Sequence, residues 1–412
     1  TARALPPAEE LNPPADEAAA LAYYESLEGM FVKVTALAIV VAPSNRYGEY
    51  TLVRAEHGIE RLWRGDESGI AIVVDDGSSG THDDRSTMAY AVNSGDQVTN
   101  LIGPLAYTYG QYKLEPVTTP ALQAAQNDLA VLTPLADDEF SLMTWNVENL
   151  FDFTDPHPSS PDMPGIEAYR TQIAKVANTI VAAGLPTVVG LQEVENIGIL
   201  EDIAEHESIA EYGYLPVLIE GTDSRYIDVG YLVRGDKAMI LHEEQFPAPE
   251  GLTSRPPLLV QAQIGDMKIS ILNNHFTSMS GGEAATEPRR VAQAAWNASV
   301  MGEILTDDES GLLAVMGDLN SFYDAPPIDT LRDAGLVHVF EELPPEARYT
   351  YIYEGRSQVL DHILVTPALM ERLTRVEILH VNADYALPAP DDTSPLHKSD
   401  HDPVVAVFSL TP

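Results

Sequence analysis

The chain is long, acidic and free of cysteine. It has 412 residues, in which 63 acidic residues face 23 basic ones, so the formal net charge is −40. A single hydrophobic core rarely serves a chain of this length, and we therefore expect two domains. The absence of cysteine excludes disulfides, thiolate chemistry and cysteine-based zinc sites. No apolar run approaches the length that a bilayer requires, so we expect no membrane association.

The charge bears on where the protein works. A carboxylate-rich surface is typical of proteins adapted to high salt and also of ordinary acidic secreted proteins, and both interpretations stay open. The same charge argues against a common basic nucleic-acid binder, which carries a positive stripe. The first residues lack the basic and apolar regions of a signal peptide. We expect an extracellular protein whose signal peptide has been removed.

The first third of the chain is predicted to be a small β-domain. Residues 1–20 are rich in Ala, Pro and Glu, which predicts an extended lead-in. Between residues 21 and 135, short apolar runs separated by turn residues predict a small barrel or sandwich. A short helix is expected at Ala121–Leu129, and Pro134–Glu139 has the composition of a linker. The predicted strands are Phe31–Ala42, Glu49–Glu56, Ile70–Asp75, Gln97–Tyr107 and Gln111–Pro116.

From residue 141 to residue 412, strands and helices alternate, which predicts a mixed α/β domain with large sheets. Helical spacing of apolar residues predicts helices at Glu167–Ala183, Ile197–Glu205 and Glu287–Leu305. The predicted strands are Ser141–Trp145, Thr187–Leu191, Val229–Arg234, Ala238–Leu241, Leu258–Ile264, Met267–Asn273, Gly311–Gly317, Ser357–Val365 and Val404–Ser409.

Six short segments of this second region join polar residues to apolar strands. Polar groups that gather at one edge of a sheet are where α/β proteins build their sites. A single Asp after a strand is more often a turn residue or a helix cap than a ligand, but six such segments in one domain predict a functional site. The segments are Trp145–Asn149, Leu191–Val194, Asn273–Phe276, Met316–Ser321, Leu360–Ile363 and Ser399–Val404.

The acidic and amide residues of these segments suit the hydrolysis of a phosphodiester. That reaction requires stabilisation of charge on the phosphoryl oxygens, an activated water and help for the leaving oxygen. Mg²⁺ prefers carboxylate oxygens, which Glu148, Glu193 and Asp400 can supply. Asp318 can deprotonate the water, and Asn320 can donate a hydrogen bond to the phosphate. We expect Mg²⁺ as the cofactor, with Mn²⁺ as an alternative, and Ca²⁺ is left open as a structural ion.

Two histidines of the same segments complete the chemistry. His275 and His401 can protonate or stabilise oxygens, since imidazole titrates near neutrality. A catalytic imidazole usually needs a carboxylate that orients it. Asp361 and Asp228 are available for this role.

In order and approximate spacing, the six segments resemble those of the endonuclease/exonuclease/phosphatase superfamily, which includes DNase I. The resemblance covers about Ser141 to Leu410, and its most specific parts are Gly317–Asn320 and Ser399–Val404. It implies the four-layer α/β sandwich of that superfamily and metal-dependent phosphoester hydrolysis. The fold class expected for the whole chain is therefore this sandwich preceded by a small all-β domain.

The resemblance also implies a role for each matching residue. Asp361 matches the carboxylate that orients the last histidine, and His275 matches the histidine that acts on the phosphate or the leaving group. The implied metal ligands are Asn146, which also contacts the phosphate, Glu148, Glu193 and Asp400. The implied catalytic residues are His275, Asp318, Asn320, Asp361 and His401.

Other residues stay open between two roles. Asp228 precedes a predicted strand and either orients His275 or is a solvated strand residue. Arg289 and Arg290 follow the His275 segment, and either bind substrate phosphate or form surface ion pairs with nearby acids. We expect three further histidines to be ordinary surface or core residues: His157, His242 and His380.

The N-terminal β-domain resembles the OB-like modules that precede the catalytic domain in some bacterial extracellular nucleases. The similar passages are Leu27–Val34 and Gly95–Val98. OB-folds bind single strands through aromatic and basic residues. Six residues of this domain either bind a single strand in this way or pack the barrel and its turns. They are Arg61, Trp63, Arg64, Tyr107, Tyr109 and Tyr112.

The sequence therefore predicts a secreted, metal-dependent nuclease that cuts DNA with little sequence preference. A monomer without a stable protein partner is expected. The alternative is a phosphatase or phosphodiesterase for small or lipid phosphoesters, because loops outside the motifs choose the substrate. The intact acidic and histidine residues argue against a catalytically inactive binding module.

Overall fold

A computed structural model describes residues 6–66, 68–78, 80–126, 129–154, 163–308 and 310–411, without the side chain of Asp307. His157 lies outside these residues. The chain divides into two compact units, and the predicted boundary between residues 135 and 141 stays a prediction. The first unit comprises Thr1–Leu129, Ile352–Gln358 and Ala383–Pro390, and the second comprises Ala130–Tyr351, Val359–Asn382 and Asp391–Pro412.

The described part of the first unit contains one α-helix and a sheet of nine short strands. Helix α1 spans Glu17–Leu27, and the carboxylate of Asp16 caps it by accepting a hydrogen bond from the backbone N–H of Ala19 at 2.8 Å. The strands are β1 (Glu9–Glu10), β2 (Phe31–Val34), β3 (Ala38–Ala42), β4 (Glu49–Arg54), β5 (Ile72–Asp75), β6 (Gln97–Thr99), β7 (Leu101–Thr108), β8 (Gln111–Leu114) and β9 (Ala121–Gln123).

These strands form one sheet in the order β1-β2-β7-β8-β5-β4-β3-β6-β9. The pairs β1/β2 and β5/β8 are parallel, and the other neighbours are antiparallel. Inward-facing side chains, among them Val40, Leu52 and Val74, form the hydrophobic core of the unit. The prediction of an all-β region is confirmed, whereas its OB-like character stays a prediction.

Two predictions for this unit are wrong. The lead-in is not extended throughout, because β1 pairs with β2, Leu11 is fully buried and helix α1 begins at Glu17. Residues 121–123 are not helical, since β9 pairs with β6 in the register Val98–Leu122. At this edge of the sheet, the hydrogen bonds of strand pairing outweigh the helix propensity of Ala121 and Leu122.

The second unit alternates strands and helices. Its helices are α2 (Ile166–Ala182), α3 (Ile197–Ala204), α4 (Glu283–Asp307), α5 (Pro326–Asp333) and α6 (Pro367–Met370). Its strands begin with β10 (Glu139–Leu150), β11 (Val188–Val194), β12 (Tyr214–Leu218), β13 (Asp228–Arg234), β14 (Ala238–Gln245), β15 (Leu258–Ile264), β16 (Met267–His275) and β17 (Leu313–Asp318). They continue with β18 (Val337–His338), β21 (Asp361–Val365), β22 (Leu373–Ile378) and β23 (Val404–Ser409). The hairpin of β19 (Tyr351–Tyr353) and β20 (Arg356–Gln358) lies where the chain passes into the first unit.

The strands of the second unit form two six-stranded sheets. Their orders are β12-β13-β11-β10-β23-β22 and β14-β15-β16-β17-β21-β18. Buried side chains such as Val188 and Tyr231 of the first sheet and Ile271 and Met316 of the second form the core between them. Helices α2 and α3 cover the outer face of the first sheet, and α4 and α5 cover that of the second. The predicted four-layer sandwich is confirmed. No helix in the described part of the chain has the length and hydropathy needed to cross a bilayer.

A buried polar contact joins the two sheets. The side-chain amide of Gln192 on β11 donates to the Asn273 Oδ1 on β16 at 2.7 Å. The Asn273 amide in turn donates to the carbonyl oxygens of Leu191 and Gly230, each at 3.0 Å. A side chain at Gly190 would lie 2.5 Å from a Met316 carbon, so the sheets approach closely at this point. These hydrogen bonds fix the position of one sheet relative to the other, next to the polar residues that end β11 and β16.

Candidate active site

The six polar segments meet at one edge of the two sheets. The parallel pairs β10/β11 and β16/β17 end at Leu150, Val194, His275 and Asp318. In parallel pairs both strands end on the same side, so the polar residues of the four segments gather there. The antiparallel strand β21 begins at this edge with Asp361, which is paired with Asp318. The Ser399–Val404 segment leads into β23 beside them.

Several site residues have left-handed backbone conformations. The φ angles are 49° at Glu148, 42° at Asn149, 67° at Glu193 and 43° at Asn320. Residues with a side chain rarely adopt this conformation, and such strain is found where the surrounding structure holds a functional geometry. Gly317 has a φ of 139°, and a Cβ on it would lie 2.0 Å from the carbonyl oxygen of Asn274. Only glycine fits this position of the Gly-Asp-Leu-Asn segment.

Three carboxylates form an acidic group at the edge. Asn149 donates its backbone N–H to Glu193 Oε2 at 2.8 Å, which fixes the Glu193 carboxylate beside the turn that carries Glu148. Desolvation by the surrounding protein, then the charges of Asp400 and Glu193, raise the pKa of Glu148 to about 7, although the residue stays open to solvent. The charges of Asp400 and Glu193 therefore act on Glu148, and a bound cation would relieve this repulsion.

Asp318 is the centre of a hydrogen-bond network. Its carboxylate is buried and accepts bonds from the side-chain amides of Asn146 and Asn320, each at 3.0 Å, and from the backbone N–H of Asn320 at 2.8 Å. Burial is the main cause that raises the pKa of Asp318 to about 7. The charge of His401 opposes this rise, and the charge of Asp361 adds to it. The network brings Asn146, Asp318 and Asn320 together, and their predicted roles stay predictions.

His401 is held between acids. Its Nδ1 donates to Asp361 Oδ2 at 2.8 Å, and its Nε2 lies 3.8 Å from Asp400 Oδ1. Burial alone would lower the pKa of His401, but the charge of Asp361 and its hydrogen bond, followed by Asp400 and Asp318, raise it well above its usual value. The imidazole is therefore protonated near neutrality, and the predicted pairing with Asp361 is made.

His275 has the opposite electrostatic surroundings. Its Nε2 lies 3.4 Å from Asp318 Oδ2 and 3.7 Å from Glu193 Oε1. Burial, and then the charges of Arg255 and Arg225, lower the pKa of His275 well below its usual value, so the imidazole is neutral. Its Nδ1 is buried and has no hydrogen-bond partner among the described residues.

The pairing proposed between Asp228 and His275 is not made. Asp228 Oδ1 accepts the backbone N–H of Gly221 at 2.8 Å instead. Asp228 is buried, so it is not the solvated strand residue of the alternative either, and desolvation raises its pKa to about 6. The sequence could not decide this point, because the choice depends on where the loop before β13 folds.

The two arginines of α4 also differ from the prediction. Arg289 is exposed, and its Nε donates to the carbonyl oxygen of Leu252 at 2.9 Å. Arg290 is buried, and its guanidinium bonds to Thr286 Oγ1 at 2.6 Å and to the carbonyl oxygen of Glu283 at 3.2 Å, both of its own helix. Arg290 is therefore closed to a substrate in this conformation, and it is not a surface residue.

The donor set fits a divalent cation. Glu148, Glu193 and Asp400 offer hard oxygen ligands, and their mutual repulsion would be relieved by positive charge. Among the described residues, the three whose ligand atoms all lie within 4.8 Å of one another are Asp318, Asp361 and His401, and not the three carboxylates. Because the His401 Nδ1 already donates to Asp361, this grouping is better explained as a hydrogen-bonded catalytic pair next to Asp318.

Three residues of the site were missed in the sequence. Arg255 donates to the carbonyl oxygens of His275 at 3.4 Å and Phe276 at 3.2 Å, but no local pattern marks it. Tyr351 bonds to Asp400, and its ring lies 4.8 Å from the His401 ring. Lys398 directly precedes the Ser399–Val404 segment. Lysine is rare in this chain, so a lysine at this position could have marked it as a site residue.

In the first unit, the residues suggested for single-strand binding have mixed surroundings. Arg61 forms a two-bond ion pair with Asp384, at 2.9 and 3.0 Å, and donates to Ser357 Oγ. Tyr112 is stacked on Tyr24 with ring centroids 5.6 Å apart. Tyr109 at the tip of the β7–β8 hairpin is fully exposed. Arg61 and Tyr112 therefore serve internal pairing and packing, and single-strand binding by the others stays a prediction.

Comparisons with known proteins agree with this description. The model of the endonuclease/exonuclease/phosphatase family matches residues 141–384, and the model of a domain of unknown function matches residues 6–126. Among curated proteins, no sequence matches the chain.

Several solved structures are similar to about two thirds of this chain. A D. rerio TDP2 humanized by 14 mutations is 19% identical over 66% of this chain and 100% of its own, with a TM-score of 0.49. The catalytic domain of human Nocturnin with bound sulfate is 15% identical over 67% and 95%, with a TM-score of 0.47. A mannosyl-6-phosphatase of Bacteroides thetaiotaomicron is 18% identical over 65% and 98%, also with a TM-score of 0.47.

The family match covers more than half of the 412 residues, and it includes five of the six polar segments. The sixth segment, Ser399–Val404, lies beside them at the same edge of the sandwich. The chain belongs to the endonuclease/exonuclease/phosphatase family of phosphoester hydrolases.

Proposed function

We propose that this protein is a secreted, metal-dependent phosphodiesterase that cuts nucleic acid, most readily DNA, with little sequence preference. The observation that carries the proposal is the meeting of three groups at one edge. These are the acidic group of Glu148, Glu193 and Asp400, the hydrogen-bonded Asp318, and the protonated His401 held by Asp361. Together they supply a cation site, a proton acceptor and an anion-binding donor.

The metal-binding part rests on Glu193, Asp400 and Glu148, with Asn146 next to them. When bound there, Mg²⁺ supplies positive charge to the phosphoryl group. The Asn146 side chain links this group to Asp318, because its amide donates to Asp318 Oδ2 at 3.0 Å while its Oδ1 accepts the Glu148 N–H at 2.9 Å. Its carbonyl oxygen keeps a lone pair for a ligand bond.

Asp318 is the proposed proton acceptor. Asn146 and Asn320 hold its carboxylate in place, and its burial makes it a stronger base than an exposed aspartate. It takes a proton from the attacking water as the new P–O bond forms and the bond to the leaving oxygen breaks. The leaving oxygen departs as an alkoxide and takes its own proton from solvent.

His401 is proposed to hold a phosphoryl oxygen. The Asn320 amide donates to Asp318 Oδ2 at 3.0 Å and to the Phe276 carbonyl oxygen at 3.3 Å, so its predicted bond to the phosphate requires that it give up one of these. The His401 Nδ1–H is committed to Asp361, so its Nε2–H remains to donate to an oxygen of the phosphate. His275 is neutral and therefore donates one N–H without adding charge. It can form a hydrogen bond to the phosphate or the leaving oxygen, but it holds no spare proton.

Local charge supports an anionic polymer as the substrate despite the net charge of −40. Burial, and then the charges of Arg255 and Arg225, lower the pKa of His275, and both arginines also pair with Asp223. An arginine near a phosphate site raises the local attraction for anions even on an acidic body. The preference for nucleic acid rests on this charge and on the match of His275 to the nuclease branch.

A substrate panel tests the proposed function. Plasmid DNA, single-stranded DNA, RNA, bis-p-nitrophenyl phosphate, p-nitrophenyl phosphate and sphingomyelin are assayed with Mg²⁺ and with Mn²⁺. We expect cleavage of nucleic acid at low enzyme concentration with little release from the monoester. Preferential release from p-nitrophenyl phosphate or sphingomyelin would contradict the nuclease assignment and favour the small or lipid phosphoester alternative.

Two variants connect the panel to the site. Asp318→Asn keeps the shape of the side chain and removes the proton acceptor, so turnover should fall by about 10³-fold. Asp308→Asn is the matched control, because Asp308 is a buried acid that pairs with Lys268 at 3.6 Å. It should keep wild-type turnover.

Secretion is tested separately by assaying the medium and the lysate of producing cells, and activity confined to the lysate would contradict it.

A further inference from the structure

A single buried side chain holds the backbone of the segment that carries Asp400 and His401. Strands β22 and β23 pair in antiparallel fashion up to Ile378 and Val404, and the regular ladder of hydrogen bonds ends there. Asn382 lies just beyond this end of the ladder and is fully buried. Its side chain makes hydrogen bonds that strand pairing no longer supplies.

Three bonds run from the side-chain amide of Asn382 to this segment. Its Oδ1 accepts the backbone N–H of Lys398 at 2.9 Å and that of Ser399 at 3.4 Å. Its Nδ2 donates to the carbonyl oxygen of His401 at 2.7 Å. One side chain therefore holds two peptide N–H groups before Asp400 and one carbonyl group after it.

The carbonyl oxygen of His401 has a second fixed donor. The indole N–H of Trp145 on β10 donates to the same oxygen at 2.9 Å. A carbonyl oxygen has two lone pairs, so both are used and this peptide group cannot turn without breaking a bond. The backbone N–H of His401 donates to Ser399 Oγ at 3.0 Å. The main chain of His401 is thus fixed on both sides, and its ring is held separately by Asp361.

The hydrogen-bonding groups of Asn382 suit this position. Asparagine has an acceptor oxygen and a donor nitrogen on a short side chain, and both are used here. An alanine would leave three buried backbone groups without this partner, and an ionised aspartate would keep the acceptor but could not donate to His401. The backbone N–H of Asn382 donates to the buried carboxylate of Asp402 at 2.8 Å, which fixes Asn382 in turn.

We infer that Asn382 is a positioning residue of the site, which sets where the Asp400 carboxylate and the His401 imidazole lie. It acts through the backbone of the segment and does not itself contact the phosphate. The inference rests on the proposed function, because it needs Asp400 at the cation and His401 at the phosphate. A displacement of a catalytic group by about 1 Å can lower the rate by about 10²-fold. The loss of Asn382 is therefore expected to lower kcat in protein that is still folded.

The chain offers a matched control at the opposite end of the sandwich. Thr366 is buried, and its Oγ1 donates to the carbonyl oxygen of Gly311 at 2.7 Å and accepts the N–H of Leu313 at 3.2 Å. Leu313 begins β17, whereas the site lies where this strand ends at Asp318. Thr366→Val removes backbone contacts of the same kind, so it should lower the thermal midpoint but leave kcat within about twofold of wild type.

The experiment compares wild type, Asn382→Ala, Asn382→Asp and Thr366→Val with bis-p-nitrophenyl phosphate and saturating Mg²⁺, well below the thermal midpoint of each protein. We expect both Asn382 variants to lower kcat by about 10²-fold. NMR follows the resonance of the His401 Nδ1–H, which reports the hydrogen bond to Asp361. This resonance should shift in the Asn382 variants and stay in place in Thr366→Val, which a purely structural role of Asn382 would not produce.

Wild-type kcat in folded Asn382→Ala overturns the inference, as does an unmoved His401 resonance. If Asn382→Ala does not fold, the same results in Asn382→Asp, which keeps the acceptor oxygen, overturn it instead. A loss of kcat in Thr366→Val as large as that in the Asn382 variants also overturns it. The proposed function fails differently: wild type that releases no product from bis-p-nitrophenyl phosphate or plasmid DNA contradicts it, whereas the NMR comparison still tests the positioning.

Discussion

The two histidines of the site are both buried, but their surroundings differ in charge. His401 lies before β23 among Asp361, Asp400 and Asp318, which raise its pKa well above the usual value. His275 ends β16 on the other sheet, where burial and the nearby Arg255 and Arg225 lower its pKa well below it. One imidazole is thus a cation and the other is neutral, within one site.

The comparison shows that neighbouring charges decide what a motif residue can do. Both histidines were predicted as groups that protonate or stabilise oxygens. The structure separates these roles, because only His401 has a carboxylate on Nδ1 and a proton to spare. His275 has a buried Nδ1 without a partner among the described residues, and its Nε2 faces Asp318 and Glu193. The difference comes from the groups around each ring and not from the sheet that carries it, because Asp318 and Asp361 lie on the same sheet as His275.

The largest expected effect comes from removing the cationic histidine. His401→Gln should lower kcat by about 10³–10⁴-fold, because the positive donor to the phosphate is lost. His275→Gln keeps a neutral hydrogen-bond donor and should cost about 10²-fold or less. Both are measured with bis-p-nitrophenyl phosphate and saturating Mg²⁺. Equal losses, or a larger loss for His275→Gln, would remove the functional distinction between the two histidines.

The carboxylate behind His401 is expected to have the next largest effect. Asp361→Asn removes the charge that keeps the imidazole protonated, so the pKa of His401 should fall and kcat should drop by about 10²–10³-fold. NMR titration of the histidine ring, together with kcat, checks both parts. A wild-type His401 pKa in this variant would show that Asp361 is not the source of the protonation.

Next to His275, Arg255 is expected to stabilise the backbone of His275 and Phe276. Arg255→Met leaves the buried Asp223 without its ion pair and frees the carbonyl oxygens of His275 and Phe276. Loss of one partner of a buried pair costs about 3–5 kcal/mol in the free energy of unfolding, which urea denaturation measures. The double variant Arg255→Met/Asp223→Leu should recover part of that loss. No recovery would mean that the ion pair is not the source of the stability.

A second buried histidine pair gives the pH dependence of stability. The His338 Nε2–H donates to His362 Nδ1 at 2.9 Å, the His362 Nε2–H donates to the carbonyl oxygen of Ser321 at 2.7 Å, and His338 Nδ1 accepts the Phe340 N–H at 3.0 Å. Every ring nitrogen is satisfied in the neutral form. Burial, with Arg332 and Arg348 nearby, lowers the pKa of His338 well below its usual value, and burial lowers that of His362 to about 4 despite Asp361.

The sign follows from these lowered values. Between about pH 6.5 and pH 4 the unfolded chain binds protons that the folded pair does not, so stability falls as the pH falls through this window. We expect a loss of about 1–2 kcal/mol per pH unit there in urea unfolding experiments. His338→Met removes one of the groups whose pKa is lowered and should reduce the slope by up to about 1.4 kcal/mol per pH unit relative to wild type. An unchanged slope in that variant would contradict the assignment.

The smallest expected effect is that of salt. Few basic groups line the site, so few phosphate contacts would be weakened by counterions, and the acidic surface is screened as salt rises. Plasmid cleavage should change by less than about threefold between about 0.1 M and 2 M NaCl. A steep loss on the first modest addition of NaCl would reject the adaptation to high salt and point to many exposed phosphate contacts.

Much of the fold and most of the site were predictable because they depend on local patterns. The strand periods predicted β15 at its observed bounds, and the Gly-Asp-Leu-Asn segment located Asp318 and Asn320 at the end of β17. Strand β22 and helix α5 were missed because polar residues interrupt their apolar residues, and β12 was missed because it is short and contains Pro216. Helix propensity gave the wrong state for residues 121–123, where pairing with β6 decides.

The parts that could not be predicted depend on contacts between distant residues. Arg255 carries no motif, yet it reaches the carbonyl oxygens of His275 and Phe276. Asp228 was available as a partner of His275, but the fold gives its carboxylate to the Gly221 N–H. Arg290 looked like a phosphate ligand until its helix placed it inside. Sequence named the chemical groups, and tertiary packing decided their partners.

Plasmid cleavage by wild type and Glu193→Ala, with Mg²⁺, with excess EDTA and after Mg²⁺ is added back, tests the central claim most directly. The account predicts that wild type cuts with Mg²⁺, stops in EDTA and recovers on addition of the metal. Glu193→Ala should lose at least about 10²-fold in turnover, because the acidic group loses a carboxylate fixed by Asn149. Cleavage that persists in excess EDTA, or normal turnover by Glu193→Ala, would contradict the metal-dependent mechanism.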